Sequence, residues 1–223
     1  MRRMVLLLWI AGACGGPMTP PRGPKHDPVN SPEAASACPD QRDAAKTARE
    51  ELLEASGSAR VEASAKAAAA VIAQADCEQK AFEAMTVDAG TQVAMTERVK
   101  VVRRQYQDAR NLYEEADGYG DARAAVQAGV KLAALHEAFG KKIEGLATPV
   151  DLVDPVGRAS WRDDLRTLVA TFQVEAALAA SRALDAAAGV AGTDAEVGGW
   201  IRAACETVKR LDPDGAARFT QCQ

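Results

Sequence analysis

Large aromatic side chains are scarce in this chain: Phe, Trp and Tyr make up only 4% of its 223 residues. With so few bulky groups to fill a core, helices must approach one another over alanine. Histidine is scarcer still, at two residues, and His136 is the only one outside the Pro-rich N-terminal segment. No CxxC, CxxCH, HExxH, GxSxG or phosphate-loop pattern occurs. That removes the metal, haem, hydrolase and nucleotide sites such spacings encode. Alternating runs rich in Val, Ile and Thr are missing too, so nothing reads as a strand. A net charge of −4 argues against a general nucleic-acid binder, which needs a basic surface. The local run Arg98, Lys100, Arg103 and Arg104 is interrupted by Glu97, Asp108 and Glu114. It reads as a solvated helix face.

What the chain does contain is alanine at helical spacing. Met95, Val99, Val102, Tyr106, Ala109, Tyr113 and Ala116 recur every three or four residues, which places them on one stripe of a helix ending near Asp117. Gly118-Tyr119-Gly120 stops that helix, and Asp121 caps the next. Ala125, Gly129, Leu132, His136, Phe139, Ile143 and Leu146 then form a second stripe. Folding back at position 119 pairs residues whose numbers sum to 238. Tyr106 then meets Leu132, Val99 meets Phe139, and Ala109 meets Gly129 at the closest approach of the two backbones. This predicts an antiparallel helical hairpin.

A second hairpin precedes it, with Asp40 capping a helix to about Ala55, a Ser56-Gly57-Ser58 break, and a helix from about Ala59 to Ala84. A third follows. Asp154-Pro155 opens its long first helix, which carries Trp161, Leu165, Leu168, Phe172, Ala176, Ala179, Ala183 and Ala186 to about Ala188. Thr193 with Glu196 makes a capping box for the last helix, and Asp212-Pro213-Asp214-Gly215 stops it before a short tail. The expected fold is all-α, a long-helix bundle of six helices in three consecutive antiparallel hairpins, spanning residues 38–223.

The N-terminus reads as an export signal over residues 1–13. Arg2 and Arg3 give it a positive end, Met4 to Ile10 an apolar core too short to span a bilayer, and Ala11-Gly12-Ala13 a small-residue cleavage site. With Cys14, these small residues resemble the lipobox of bacterial lipoproteins, although Ala11 stands where leucine is usual. The resemblance implies that Cys14 becomes the lipidated N-terminus. Gly15 at the following position implies outer-membrane placement facing the periplasm, with a secreted soluble form as the alternative. Residues 14–37 hold prolines at 17, 20, 21, 24 and 28 and read as a tether between lipid and domain.

Lipidation of Cys14 leaves Cys38, Cys77, Cys205 and Cys222, an even set in an oxidising compartment. The midpoint of Cys38 and Cys77 is 57.5, inside the Ser-Gly-Ser turn, and that of Cys205 and Cys222 is 213.5, inside the Asp-Pro-Asp-Gly turn. Cysteines equidistant from a hairpin turn lie side by side, so the expected disulfides are Cys38–Cys77 and Cys205–Cys222.

Residues 103–136 also resemble a tetratricopeptide repeat at Tyr106, Ala109, Tyr113, Ala122 and Val126, with Gly129 as a tolerated small residue. Arg110 stands where that family has a small residue, and Ala134 where it has proline. The resemblance implies an α-solenoid with a concave peptide-binding surface. His136 lies on the helical stripe and reads as a hydrogen-bonded core residue. Trp161 and Trp200 read as core plugs, and Asp163-Asp164 as first-turn acids at the positive end of a helix dipole. No catalytic residue, metal ligand or cofactor site emerges. The expected function is a non-catalytic envelope lipoprotein, an adaptor holding a partner protein near the membrane to which its lipid attaches, without nucleic-acid binding. The alternative is a small-ligand binder or enzyme whose pocket is built from dispersed residues.

Overall fold

The computed structural model describes residues 38–190 and 194–223. The signal, Cys14 and the tether assigned to residues 1–37 lie outside the described residues, as does Thr193. Among the described residues seven α-helices form: α1 (Pro39–Glu54), α2 (Ser58–Ala84), α3 (Gln92–Asp117), α4 (Ala122–Glu144), α5 (Pro155–Ala187), α6 (Ala195–Leu211) and α7 (Pro213–Ala216). A 3-10 turn closes the chain at Thr220–Cys222, and no strand occurs among the described residues. The expected six helices become seven because the tail is not irregular. Pro213 follows the Asp212 cap, whose carboxylate accepts the Gly215 N–H at 3.0 Å, and this starts one further turn.

Punctuation explains most boundaries. Gly57 and Gly120 sit at φ +59° and +79°, conformations that L side chains rarely adopt, and each lies between two helices. Thr91, Asp121 and Asp154 each accept a backbone N–H at the start of a helix. Three sequence expectations need correction. Asp40 does not cap α1: Pro39 already occupies the first helical position behind Cys38, and Asp40 lies in the first turn. Asp194, not Thr193, caps α6, accepting from Glu196 and Val197 N–H, while the Glu196 carboxylate turns to Arg123. Asp163 and Asp164 lie well past the first turn of α5, so its positive end is served by the Asp154 cap.

Consecutive helices run antiparallel. Cys38–Cys77 and Lys66–Glu51 join α1 to α2, and Ser64–Tyr119, Tyr113–Asp76 and Phe82–Tyr106 join α2 to the α3 region. Tyr106–His136 joins α3 to α4. Phe139–Phe172 and the Gly129–Ala183 approach join α4 to α5. By contrast α6 runs alongside α4 in the same direction, tied by Arg123 to Asp194 near its start and by Arg210 to Glu137 near its end.

Four of the scarce aromatics are pooled. Phe82, Tyr106, Phe139 and Phe172, one from each of four helices, form a single cluster with ring centroids 4.4 Å apart for Tyr106–Phe139 and 4.7 Å for Phe139–Phe172. Elsewhere the core mixes many alanines with larger groups such as Met95, Tyr113, Leu135, Trp161 and Leu184. α4 is its axis, burying residues on two faces: Ala125, Gly129, Leu132, His136, Phe139 and Ile143, but also Ala124, Val126, Ala128, Ala133, Leu135 and Gly140. Its most extensive partner is α5, not α3.

The side-chain contacts between α3 and α4 reach beyond the pairs read from the sequence. The Tyr106 hydroxyl meets His136 Nδ1 at 2.7 Å and its ring stacks on Phe139. Each side chain leans toward its own helix N-terminus, so in an antiparallel pair long side chains nearly a turn apart lean toward each other. Gly129 faces Ala179 and Ala183 of α5 rather than Ala109. A Cβ there would lie 2.9 Å from Ala183 Cβ and 3.1 Å from the Ala179 carbonyl oxygen.

Candidate functional site

Two clefts border α4, one on either side of it. The first separates the C-terminal ends of α3 and α5 and encloses about 340 Å³. Ala125, Ala128, Gly129 and Leu132 of α4 make its floor, Tyr113, Glu114 and Asp117 line its α3 side, and Arg182 stands on the α5 side. At the aromatic cluster α3 and α5 touch through Tyr106 and Phe172, with ring centroids 5.7 Å apart. Beyond it α4 presents Leu132 and then only Gly129, Ala128 and Ala125 to the space between the flanking helices.

The walls are charged and partly desolvated. Burial pushes the Asp117 carboxyl above its usual range, against the pull of Arg182 and with the help of Glu114. Glu114 accepts from Arg110 Nε at 2.9 Å. Tyr113 contributes its ring to the cleft while its hydroxyl points away into α2, 2.7 Å from Asp76 Oδ1 and 2.8 Å from Gln79 Oε1. Lys131 completes that group, donating to Asp76 Oδ2 at 2.9 Å. Burial first, and Asp76 second, push the Tyr113 phenol far up, so it stays protonated. The cleft thus offers an acid, a guanidinium and an apolar floor. It offers no nucleophile paired with a base.

His136 does not line this cleft. It is 1% exposed and bonded to Tyr106, and burial, with Arg110 and Arg182 nearby, lowers its pKa to about 3. A neutral imidazole with that pKa is a poor general base near neutrality and no acid at all. Its position matches the core role its stripe implies. Trp161 is buried as a core plug, but Trp200 is not: it is half-exposed beneath the Arg123 guanidinium, 5.2 Å from its ring centroid. Asp163 pairs with Arg166 on the exposed face of α5 at 2.8 Å.

The second cleft is a groove of about 250 Å³ between α4 and α6. Val130, Ala133, Ala134, Ala138, Ala203 and Ala204 form its apolar surface, with Glu137, Lys141 and Thr207 at its margins. Arg210 of α6 closes one side by pairing with Glu137 at 2.7 Å. Among the described residues no group of three or more His, Cys, Asp or Glu is placed to hold a metal ion. No described helix is long and apolar enough to cross a membrane.

The four cysteines pair as Cys38–Cys77 and Cys205–Cys222, with Cα separations of 6.0 and 5.3 Å. The first ties the start of α1 to α2, and the second brings the chain end back onto α6. A second fastening holds α1 at its other end, where Arg49 Nε and Nη2 donate to the two Glu115 carboxylate oxygens at 2.6 and 2.9 Å. Burial opposes ionisation of Glu115, but hydrogen bonds from Arg49 and Tyr119 bring its pKa below the usual value.

Sequence spacing identified Tyr113, Ala125, Gly129 and Leu132 as inward-facing without revealing that they border a cleft. Asp117 and Arg182 carry no such signal, since each is one charged residue beside a stripe and no local pattern joins positions so far apart. No family model, curated protein or solved structure matches the chain.

Proposed function

We propose that this chain is an envelope lipoprotein whose helical domain is a non-catalytic adaptor. In this reading residues 1–13 are removed, Cys14 carries the lipid, and residues 14–37 tether the domain to the outer membrane on its periplasmic side. The domain, built as three consecutive helical hairpins with a short C-terminal turn, holds a partner protein through the α4–α6 groove. One observation carries the proposal: the four cysteines of the domain are consumed in two internal disulfides, leaving Cys14, directly behind Ala11-Gly12-Ala13, as the odd one. Disulfides belong to oxidising compartments, and an odd cysteine at a lipobox-like site has an assignment there. The groove supports the adaptor part, because its alanine surface admits apolar side chains of a partner while Glu137, Lys141 and Arg210 supply a polar rim.

Mass analysis of the mature protein tests the anchor: the expected result is an acylated Cys14, and an unmodified cysteine removes it. Affinity capture from the native envelope tests the adaptor. Wild type should retain a protein that the Ala134→Lys, Ala203→Lys double variant loses; equal recovery by both removes the groove as the contact. A second reading, a small-ligand site, is favoured by Asp117 and Arg182 facing each other over an apolar floor. Zwitterionic small molecules that raise the melting temperature of wild type but not of Arg182→Gln would support it.

A further inference from the structure

The α3–α5 cleft holds two opposite charges that do not close on each other. Elsewhere, unlike charges on neighbouring helices pair: Arg49 with Glu115 at 2.6 Å, Lys131 with Asp76 at 2.9 Å, Arg210 with Glu137 at 2.7 Å. Asp117, the last residue of α3, and Arg182 of α5 both line the cleft, and the guanidinium pulls on the Asp117 carboxyl. Yet among the described residues neither forms an ion pair. Glu114 also lines the α3 side, but it is taken up by Arg110 at 2.9 Å. Asp117 is therefore the acid left for a ligand, and Arg182 the cation.

What lies between them is apolar. Ala125, Ala128, Gly129 and Leu132 make the floor, and their side chains carry no polar atom. Tyr113 shows the cleft only its ring, because its hydroxyl is bonded to Asp76 and Gln79 on α2. The space of about 340 Å³ is at the small end for ligand pockets, which begin near about 300 Å³. A ligand that satisfies all of this needs an ammonium for one wall, a carboxylate for the other, and an apolar group for the floor. An α-amino acid carries these three on a single tetrahedral carbon. Its two charges diverge toward opposite walls while its side chain leaves in a third direction.

We propose that the cleft binds a free α-amino acid with an aliphatic side chain, its carboxylate on Arg182, its ammonium on Asp117 and its side chain on the floor of α4. This rests on the small-ligand reading of the cleft, which it narrows from zwitterions in general to one geometry. The groove between α4 and α6 takes no part in it. Asp117 and Arg182 stand exposed at the rim, where water screens both charges, so selectivity rather than strength is the signature.

Calorimetric titration of the purified full chain tests it with L-leucine, 4-methylpentanoate, 3-methylbutylamine and glycine. The last three lack the ammonium, the carboxylate and the side chain in turn. Leucine should bind at least about tenfold more tightly than each of them, since each loses one contact to a charged group or to the floor. Arg182→Gln should bring leucine down to the level of 3-methylbutylamine without changing the affinity for that amine. Asp117→Asn should bring it down to the level of 4-methylpentanoate and leave that acid's affinity unchanged. Partial unfolding cannot imitate this pattern, because it weakens every probe alike, and a variant that does so overturns the proposal. Either single-charge probe matching leucine also overturns it, while leaving a ligand site in place. So does tighter binding of leucyl-leucine than of leucine, which would mean that the charges are read farther apart than one carbon allows. No binding of any probe, by calorimetry or by ligand-observed NMR, removes both the proposal and the small-ligand reading and leaves the anchor and the α4–α6 groove untouched.

Discussion

The two long interfaces of α4 are built in opposite ways. Against α3 it uses large, directional groups: Tyr106 bonds to His136 and stacks on Phe139. Against α5, beyond the single Phe139–Phe172 contact, it uses small ones, with Gly129 pressed on Ala179 and Ala183 and with Gly189 of the following turn near Ala122. The α5 interface is nevertheless the more extensive, although a linker of about ten residues separates these helices while a four-residue turn joins α3 to α4. Bulky side chains hold backbones apart and concentrate contact at one point. Small ones let two backbones run close over many turns, and dispersion accumulates along the whole length. Proximity in sequence made α3–α4 look like the organising pair, yet side-chain size favours α4–α5.

The largest expected effect comes from crowding the small-residue interface. Gly129→Leu should cost about 3 kcal/mol or more in urea unfolding, because the clash is with backbone and Cβ atoms that cannot rotate away. Gly129→Ala should lose less, about 1–2 kcal/mol, since the helix-propensity gain of about 1 kcal/mol offsets part of the strain. The identity of the rescuing partner sharpens the comparison. Ala183→Gly should recover most of the Gly129→Ala loss; if Ala109→Gly recovers it instead, Gly129 faces α3 and the comparison fails.

Next in size is a pH effect confined to the α3–α4 interface. His136 has a folded pKa near 3 against an ordinary value of 6.5, so between these values only the unfolded chain takes up the proton. Its contribution is therefore complete above pH 6.5 and is lost as pH falls, at about 1.4 kcal/mol per pH unit. Carboxylates such as Glu115 add their own acid dependence, so the measurement is the difference between wild type and His136→Gln from pH 7 to pH 4.5. Parallel curves for the two proteins would show that His136 is not held neutral. Tyr106→Phe should be smaller and independent of the α5 contact, costing about 1–3 kcal/mol because it leaves the buried His136 Nδ1 without its hydroxyl. Its loss should add to that of Gly129→Ala, and strong coupling between them would mean that the two faces of α4 are not separate.

The smallest expected change is a gain. At Gly140 an added Cβ would sit 3.5 Å from Phe172 Cβ, an ordinary contact, so Gly140→Ala should raise stability by up to about 1 kcal/mol. Thermal unfolding that shows a loss would mean that α4 and α5 are as tight at the aromatic end as at Gly129.

Periodicity, caps and cysteine positions were enough to determine the inward faces of α3, α4 and α5, most helix ends, and both cysteine pairs. Six of the seven residues on the α3 stripe are buried, Val99 being the partial exception. These are local matters. A period of 3.6 says which side of a helix leaves water, and a turn between two cysteines sets how far each lies from it. Only the tertiary structure decided which helix covers which face. Val126, Ala133 and Gly140 carry α4's burial beyond its first stripe, but alanine and glycine suit a core, a surface and a close backbone contact equally, so their sequence does not say which applies. The α3–α5 cleft is legible in its floor and invisible in its rim, since Asp117 and Arg182 come together only because α5 lies beside α3 across α4. Which side chains meet across an interface was beyond reach for a related reason: sliding one amphipathic helix along another by about a turn keeps every apolar face inward. The choice then falls to particular fits, Tyr106 on His136 and Gly129 against Ala183, which exist only once the backbones are in place.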